Sequence, residues 1–168
     1  VRLSCDNGQN WPVRKTAESG SAAYSTLTPL GSGTIGDDRV GMLWERADYQ
    51  HITYSSFDLQ WLGGVCAPVT VTPPASLPAG KTTEVTVRVV SQNDKALPAG
   101  SVSLGLPSGW SAPSVTVPAL DPGQGANMRI PVTVPANATA GAVPTTATYL
   151  VRGTQRSYGD GTLTVTAP

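Results

Sequence analysis

The side chains able to do chemistry lie mostly in the first third of the chain. Ser4-Cys5-Asp6-Asn7-Gly8-Gln9-Asn10-Trp11 sets a carboxylate among turn-forming residues. Asp and Ser oxygens accept backbone N–H groups inside turns, Gly tolerates positive φ, and Trp packs over such a turn and shields it from water. Asp6 is therefore read as structural, with a catalytic carboxylate as the rival. Tyr24 offers a phenol of ordinary pKa ~10, which needs a base before it can attack anything; its plain reading is a half-buried strand tyrosine. Ser25 follows it without a G-x-S-x-G elbow. Glu45 closes a hydrophobic run, and its plain reading is a solvated strand end. His51 is solitary, with no Ser or Cys partner at a telling spacing, and is read as a surface or hydrogen-bonded histidine. Cys5 and Cys66 could bridge in an oxidising compartment, but linear separation leaves that open. Asn137-Ala138-Thr139 fits a glycosylation sequon. One His and two Cys exclude multi-histidine or four-cysteine metal sites made within the chain. No phosphate loop is present, and neither metal nor cofactor is expected.

The elements that position these groups follow from composition. Eleven basic side chains cancel eleven acidic ones, which leaves no electrostatic footprint for nucleic acid or an anionic membrane surface. No run of ~18 apolar residues exists to span a membrane. Gly and Pro number 18 and 15. Breakers this dense, beside many Thr, Val and Ser, argue for short strands and turns. The chain starts Val1-Arg2-Leu3-Ser4 as though entered mid-strand, so a mature or truncated piece of something longer is expected. Low charge with high Thr, Ser and Gly suits a secreted protein.

The recipe changes near residue 66. Residues 1–65 hold seven of the ten aromatics and two of the fifteen prolines; residues 66–168 hold the other three aromatics and thirteen prolines. Two domains are expected, 1–65 and 66–168, joined at Gly63-Gly64-Val65-Cys66-Ala67-Pro68. In the second, Val85, Val87 and Val89 share one strand face, and Met128, Ile130, Val132 and Val134 repeat the period. So do Ala147, Tyr149 and Val151, then Leu163 and Val165. With strands near 69–73, 102–106 and 114–118 the count is seven, the rhythm of an Ig-like sandwich. Asp160-Gly161 is read among the turns. No strand there carries a His or paired carboxylates, so a structural domain is the main reading; a sugar-binding surface built on Trp110 is the lesser one.

Leu106-Pro107-Ser108-Gly109-Trp110, Leu120-Asp121-Pro122-Gly123 and Ile130-Pro131-Val132-Thr133-Val134-Pro135 make the second segment resemble the NPCBM-associated, Ig-like domain of secreted glycosidases. That resemblance implies a module attached to a carbohydrate enzyme. In the first segment, Ser4 through Trp11 fits S-x-D-x-G-x-x-W and resembles the Asp-box, a turn between two strands of a propeller blade. Ala23-Tyr24-Ser25-Thr26-Leu27, the turn Gly33-Thr34-Ile35-Gly36, the run ending Leu43-Trp44-Glu45 and the run Ile52 through Leu62 follow in order. Together they resemble the C-terminal end of the bacterial exo-α-sialidase catalytic domain, a six-bladed propeller. Trp44 stands where that family has Tyr, Ser32 where Asp is common, and Asp37, Asp38 and Arg39 look inserted.

The overall expectation is thus all-β: the terminal blade region of a six-bladed propeller, then an Ig-like sandwich. Blades take ~40–45 residues, so residues 1–65 cannot close a propeller without upstream blades. By the resemblance, Tyr24 matches the nucleophile, and Glu45 matches a glutamate that orients a substrate-binding arginine. Sialic acid carries a carboxylate on its anomeric carbon, and a neutral phenol approaches it without like-charge repulsion. The family's acid, base and three arginines have no counterpart here: Arg2, Arg14, Arg39 and Arg46 lack the R-I-P context. The resemblance implies sialylated glycans as partners and an inactive isolated chain. The rival reading is a non-catalytic glycan-binding or adhesion module; a third is an Asp-box hydrolase using carboxylates.

Overall fold

The computed structural model describes residues 1–31, 39–93 and 95–167. The expected turn Gly33-Thr34-Ile35-Gly36, with Ser32, Asp37 and Asp38, lies outside the described residues. In chain order the elements are β1 (Arg2–Leu3), β2 (Val13–Arg14), β3 (Ala22–Pro29), β4 (Val40–Arg46), β5 (His51–Phe57) and a single helical turn α1 (Leu59–Leu62). There follow β6 (Val69–Thr72), β7 (Leu77–Pro78), β8 (Thr82–Val90), β9 (Gly100–Gly105), β10 (Val115–Val117), β11 (Gly125–Thr133), β12 (Gly141–Val151) and β13 (Gln155–Thr166). The molecule is all-β apart from α1.

The chain forms two compact units. One is Lys15–Gly63 with Val1; the other is Arg2–Arg14 with Gly64–Pro168. The segment carrying Asp6 thus lies with the C-terminal sandwich, whereas the composition change put it in the first domain. Long-range bonds explain this. Cys5 is bridged to Cys66, the Tyr158 N–H donates to Pro12 O at 2.7 Å, and Arg14 forks onto Asp160 at 2.8 and 3.1 Å.

In the larger unit one sheet has the order β10-β9-β12-β13-β7 and the other β11-β8-β6. All pairings are antiparallel except β13 with β7. All seven strands expected from alternation are present, and β7 is an added two-residue edge. The inward faces hold the residues the period selected: Val85, Val87 and Val89, Ile130 and Val132, Ala147 and Tyr149, Leu163 and Val165, all buried. This is the Ig-like sandwich, with its core between the two sheets.

Asp160-Gly161 is not a turn. Both residues sit inside β13, and the chain reverses instead at Arg152-Gly153, where φ is 52° and 73°. Gly159 and Gly161 serve close approach: a Cβ at Gly159 would lie 2.0 Å from the Val69 carbonyl oxygen, and one at Gly161 2.7 Å from Val71 Cβ. Trp110 is partly buried and packs on the core around Leu77, Val132 and Leu163, the common fate of a sandwich tryptophan.

The smaller unit is a three-stranded antiparallel sheet in the order β3-β4-β5. Met42 and Trp44 of the central strand are buried, while β3 is exposed along its full length. The run Ile52–Leu62 does not stay extended. It ends as strand at Phe57 because Asp58 caps α1, its carboxylate accepting the Trp61 N–H at 2.6 Å. The Trp61 ring stacks obliquely on Phe57 at 5.1 Å, with Lys15 Nζ 4.3 Å from its centroid.

Candidate functional site

Tyr24 is raised by an irregularity of its own strand. β3 pairs with β4 in regular register from Pro29↔Val40 to Ser25↔Trp44, then resumes at Ala22↔Arg46. Two residues, Ala23 and Tyr24, therefore oppose the single residue Glu45. Such a bulge bends the strand and re-aims a side chain. Tyr24 is 79% exposed, not a half-buried strand tyrosine. Tyr24, Thr26, Leu43, Glu45 and Ile52 line a shallow depression of about 230 Å³. The two residues singled out by the sialidase resemblance thus share one open face.

Glu45 is not a solvated strand end either. It is half-buried, and its Oε2 is out of solvent with no hydrogen-bond partner among the described residues. A buried carboxylate oxygen without a donor is costly, and it is an acceptor where a guanidinium fits. The arginines nearby in sequence are engaged: Arg46 donates to Thr53 Oγ1 at 2.7 Å and pairs with Glu18 at 3.1 Å. Ile52, Tyr54 and Leu43 are exposed side by side on the same face of the sheet, and contiguous apolar side chains of this kind mark contact surfaces. Ser25 lines the depression without a base beside it. His51 is exposed at the start of β5.

The Asp6 turn belongs to the larger unit. Ser4 Oγ donates to Asp6 Oδ1 at 2.8 Å and accepts the Gly8 N–H at 2.8 Å. Asn10 closes the turn, donating its backbone N–H to Oδ1 at 2.8 Å and its amide to Oδ2 at 2.6 Å. Asn7 and Gly8 supply positive φ of 57° and 86°. The Asn10 bonds, with smaller help from Ser4 and Gln92, hold the Asp6 carboxyl far below the usual carboxylate range. A carboxylate so satisfied makes a poor proton donor or acceptor near neutral pH, and its role is to fold the turn. Trp11 packs one edge of its ring on the turn as expected, 3.8 Å from where a Cβ would stand at Gly8, but it covers the turn only in part and stays 51% exposed.

Two residues mattered that the sequence did not single out. Arg14 lies over the Tyr158 ring, 4.8 Å from its centroid, while it grips Asp160. Asp160 also accepts from Thr146 Oγ1 at 2.7 Å, and Arg14 first, then Thr146, hold its carboxyl below the usual value. Nothing in the sequence signals the Arg14–Asp160 pair, since 146 positions separate the partners.

Residues 77–157 match the family described as NPCBM-associated, NEW3 domain of alpha-galactosidase. The chain as a whole is 40% identical over 167 residues to the sialidase of Micromonospora viridifaciens. The alignment takes in 99% of this chain and 24% of that protein, so the chain spans about a quarter of its relative. Among solved structures it is similar to the CARDB domain of a Pyrococcus furiosus protein, 17% identical over 60% of this chain and 87% of that one, with a TM-score of 0.46. It is also similar to Salmonella alpha-2-macroglobulin, 17% identical over 77% of this chain and 8% of that one, with a TM-score of 0.47. Among the described residues no helix is long and apolar enough to cross a membrane.

Proposed function

We propose that this chain is the C-terminal portion of a secreted exo-α-sialidase, with Tyr24 as nucleophile. The observation that carries the reading is the pairing of an exposed, bulge-raised Tyr24 with a half-buried Glu45 in one depression. It occurs in a chain aligned almost end to end with a sialidase. The depression is shallow and open, and the apolar face around it calls for cover by further chain, the missing blades of a propeller. The Cys5–Cys66 bridge supports an oxidising, extracellular compartment.

In the proposed reaction a base outside residues 1–168 takes the phenolic proton of Tyr24, and the oxygen attacks the anomeric carbon of a terminal sialic acid. The aglycone leaves with a proton from an acid, also supplied outside these residues. Water then attacks the tyrosyl–sialoside link on the face the aglycone left and regenerates Tyr24, so configuration is retained. The Glu45 carboxylate orients an incoming arginine, whose fork holds the substrate carboxylate.

A covalent trap tests this. The longer protein containing this chain is treated with a fluorinated sialosyl donor, which slows breakdown of the link, and its peptides are weighed. The expected result is one sialosyl adduct on the Tyr24 peptide. An adduct on another residue, or turnover of the donor with none on Tyr24, overturns the assignment. The same protein binding sialosides without any turnover would favour the non-catalytic glycan-binding reading.

A further inference from the structure

We propose that the sandwich unit carries a second, non-catalytic site: a cleft for a carboxylated sugar ring, with the Trp11 indole as stacking surface and the Arg2 guanidinium as carboxylate partner. The proposal rests on the carbohydrate reading above but not on the role of Tyr24.

The cleft measures about 290 Å³ and is lined by Arg2, Asn10, Trp11, Tyr158 and Asp160, with Val69 and Thr70 of β6 at its base. It lies wholly within the larger unit. Its size is at the small end for ligand pockets and suits a single ring. Trp11 rests one ring edge on Gly8 of the Asp6 turn and is still half exposed. An indole left open against a polar cleft offers what a pyranose needs: a flat apolar surface for its C–H face, with hydrogen-bonding groups around the rim for its hydroxyls.

The charges choose among sugars. The Asp160 carboxylate is already gripped by Arg14 and by Thr146. Arg2, exposed at the same cleft, makes no hydrogen bond or ion pair among the described residues; it acts on Asp160 only through space, more weakly than Arg14 does. The Arg2 fork therefore keeps its donors open, and a carboxylate is the group that a guanidinium fork holds best.

The walls are held before any ligand arrives. The Cys5–Cys66 bridge, the Tyr158 N–H to Pro12 O bond and the β1–β2 pairing Arg2↔Arg14 fix the segment that carries Arg2 and Trp11. A preformed cleft spares a ligand the ordering cost that weakens small-molecule binding.

The test uses the longer protein containing this chain and follows the Trp11 indole N–H by nitrogen-edited NMR. The probes are the methyl α-glycoside of N-acetylneuraminic acid, methyl β-glucuronide and neutral methyl β-galactoside. Saturable shifts at Trp11 with one or both acidic glycosides are expected, and which one distinguishes a sialic from a uronic source. The galactoside should bind about tenfold more weakly or not at all. Trp11→Ala should weaken acidic-sugar binding by about tenfold or more, and Arg2→Gln should reduce it to the level of the neutral sugar. Both positions are open to solvent, so each variant should keep the fold. No saturable shift with either acidic glycoside, undiminished binding in Trp11→Ala, or equal binding of the neutral sugar overturns the proposal. Sialoside turnover by the longer protein reads Tyr24 separately, so either reading can fail alone.

Discussion

Tyr24 and Glu45 meet across a bulge: two residues of β3 stand opposite the single glutamate of β4, and the phenol is thrown onto the open face where that glutamate lies. Without the extra residue the β3 ladder would run on in register. With it, Tyr24 stands proud of the sheet while its neighbours Ser25 and Thr26 stay paired.

The proposed chemistry makes Tyr24→Phe the sharpest single change. In the longer protein it should lower kcat by about 10³-fold or more, since the nucleophile is removed while the ring is kept. Substrate affinity should change little. The fold should also be untouched, because Tyr24 is exposed. Steady-state kinetics on a fluorogenic sialoside, with circular dichroism beside it, checks both halves.

Glu45→Gln separates a positioning role from a structural one. In the isolated chain the substitution should leave stability unchanged or raise it, because Glu45 Oε2 is buried without a donor. In the longer protein it should raise KM more than it lowers kcat, by about tenfold, as the substrate-binding arginine loses its anchor. Urea unfolding of the chain and a KM–kcat comparison of the longer protein read the two arms.

Removing the disulfide should be costly. Cys5 and Cys66 close a loop with a sequence separation of 61, for which loop entropy gives about 4 kcal/mol. The double variant Cys5→Ala, Cys66→Ala should show a correspondingly lower urea midpoint for the sandwich unit, and the same shift should follow reduction of the native chain.

Tyr149 gives a stabilising prediction. Its hydroxyl is buried without a partner among the described residues, and burial pushes its pKa up. Tyr149→Phe removes an unsatisfied polar group and leaves the packing in place, and stability should rise by about 1 kcal/mol. Gly159→Val should do the reverse. Its Cβ would collide with the Val69 backbone, and overpacking of this kind costs about 3 kcal/mol. Thermal melts of both variants supply the comparison.

Acid should weaken the sandwich through Asp6 and Asp160. Both carboxyls are held below their unfolded values, Asp6 chiefly by Asn10 and Asp160 chiefly by Arg14. The folded state therefore binds fewer protons than the unfolded one. The stability these groups supply is complete above the unfolded carboxylate value, about pH 4, and drains away as pH falls toward the folded values. Urea midpoints should fall between pH 6 and pH 3. Asp6→Asn and Asp160→Asn should each flatten that fall.

Much of the sandwich was legible because alternation is a local rule. Val85, Val87, Val89, Ile130 and Leu163 had to face one way in any strand, and a core between two sheets is the place that suits them. Ser4, Asp6 and Gly8 likewise specified their turn, whose bonds span no more than four residues. The sequence also supplied Tyr24 and Glu45 as chemical types and, through likeness, as a pair. What it could not supply depended on partners far away. Trp11 left half its ring in solvent, Asp160-Gly161 was strand because β6 needed bare backbone to approach, and residues 2–14 joined the sandwich through Cys66, Tyr158 and Asp160. Periodicity and turn chemistry act within a few residues, whereas a disulfide, an ion pair and a close backbone approach exist only once the chain has folded back on itself.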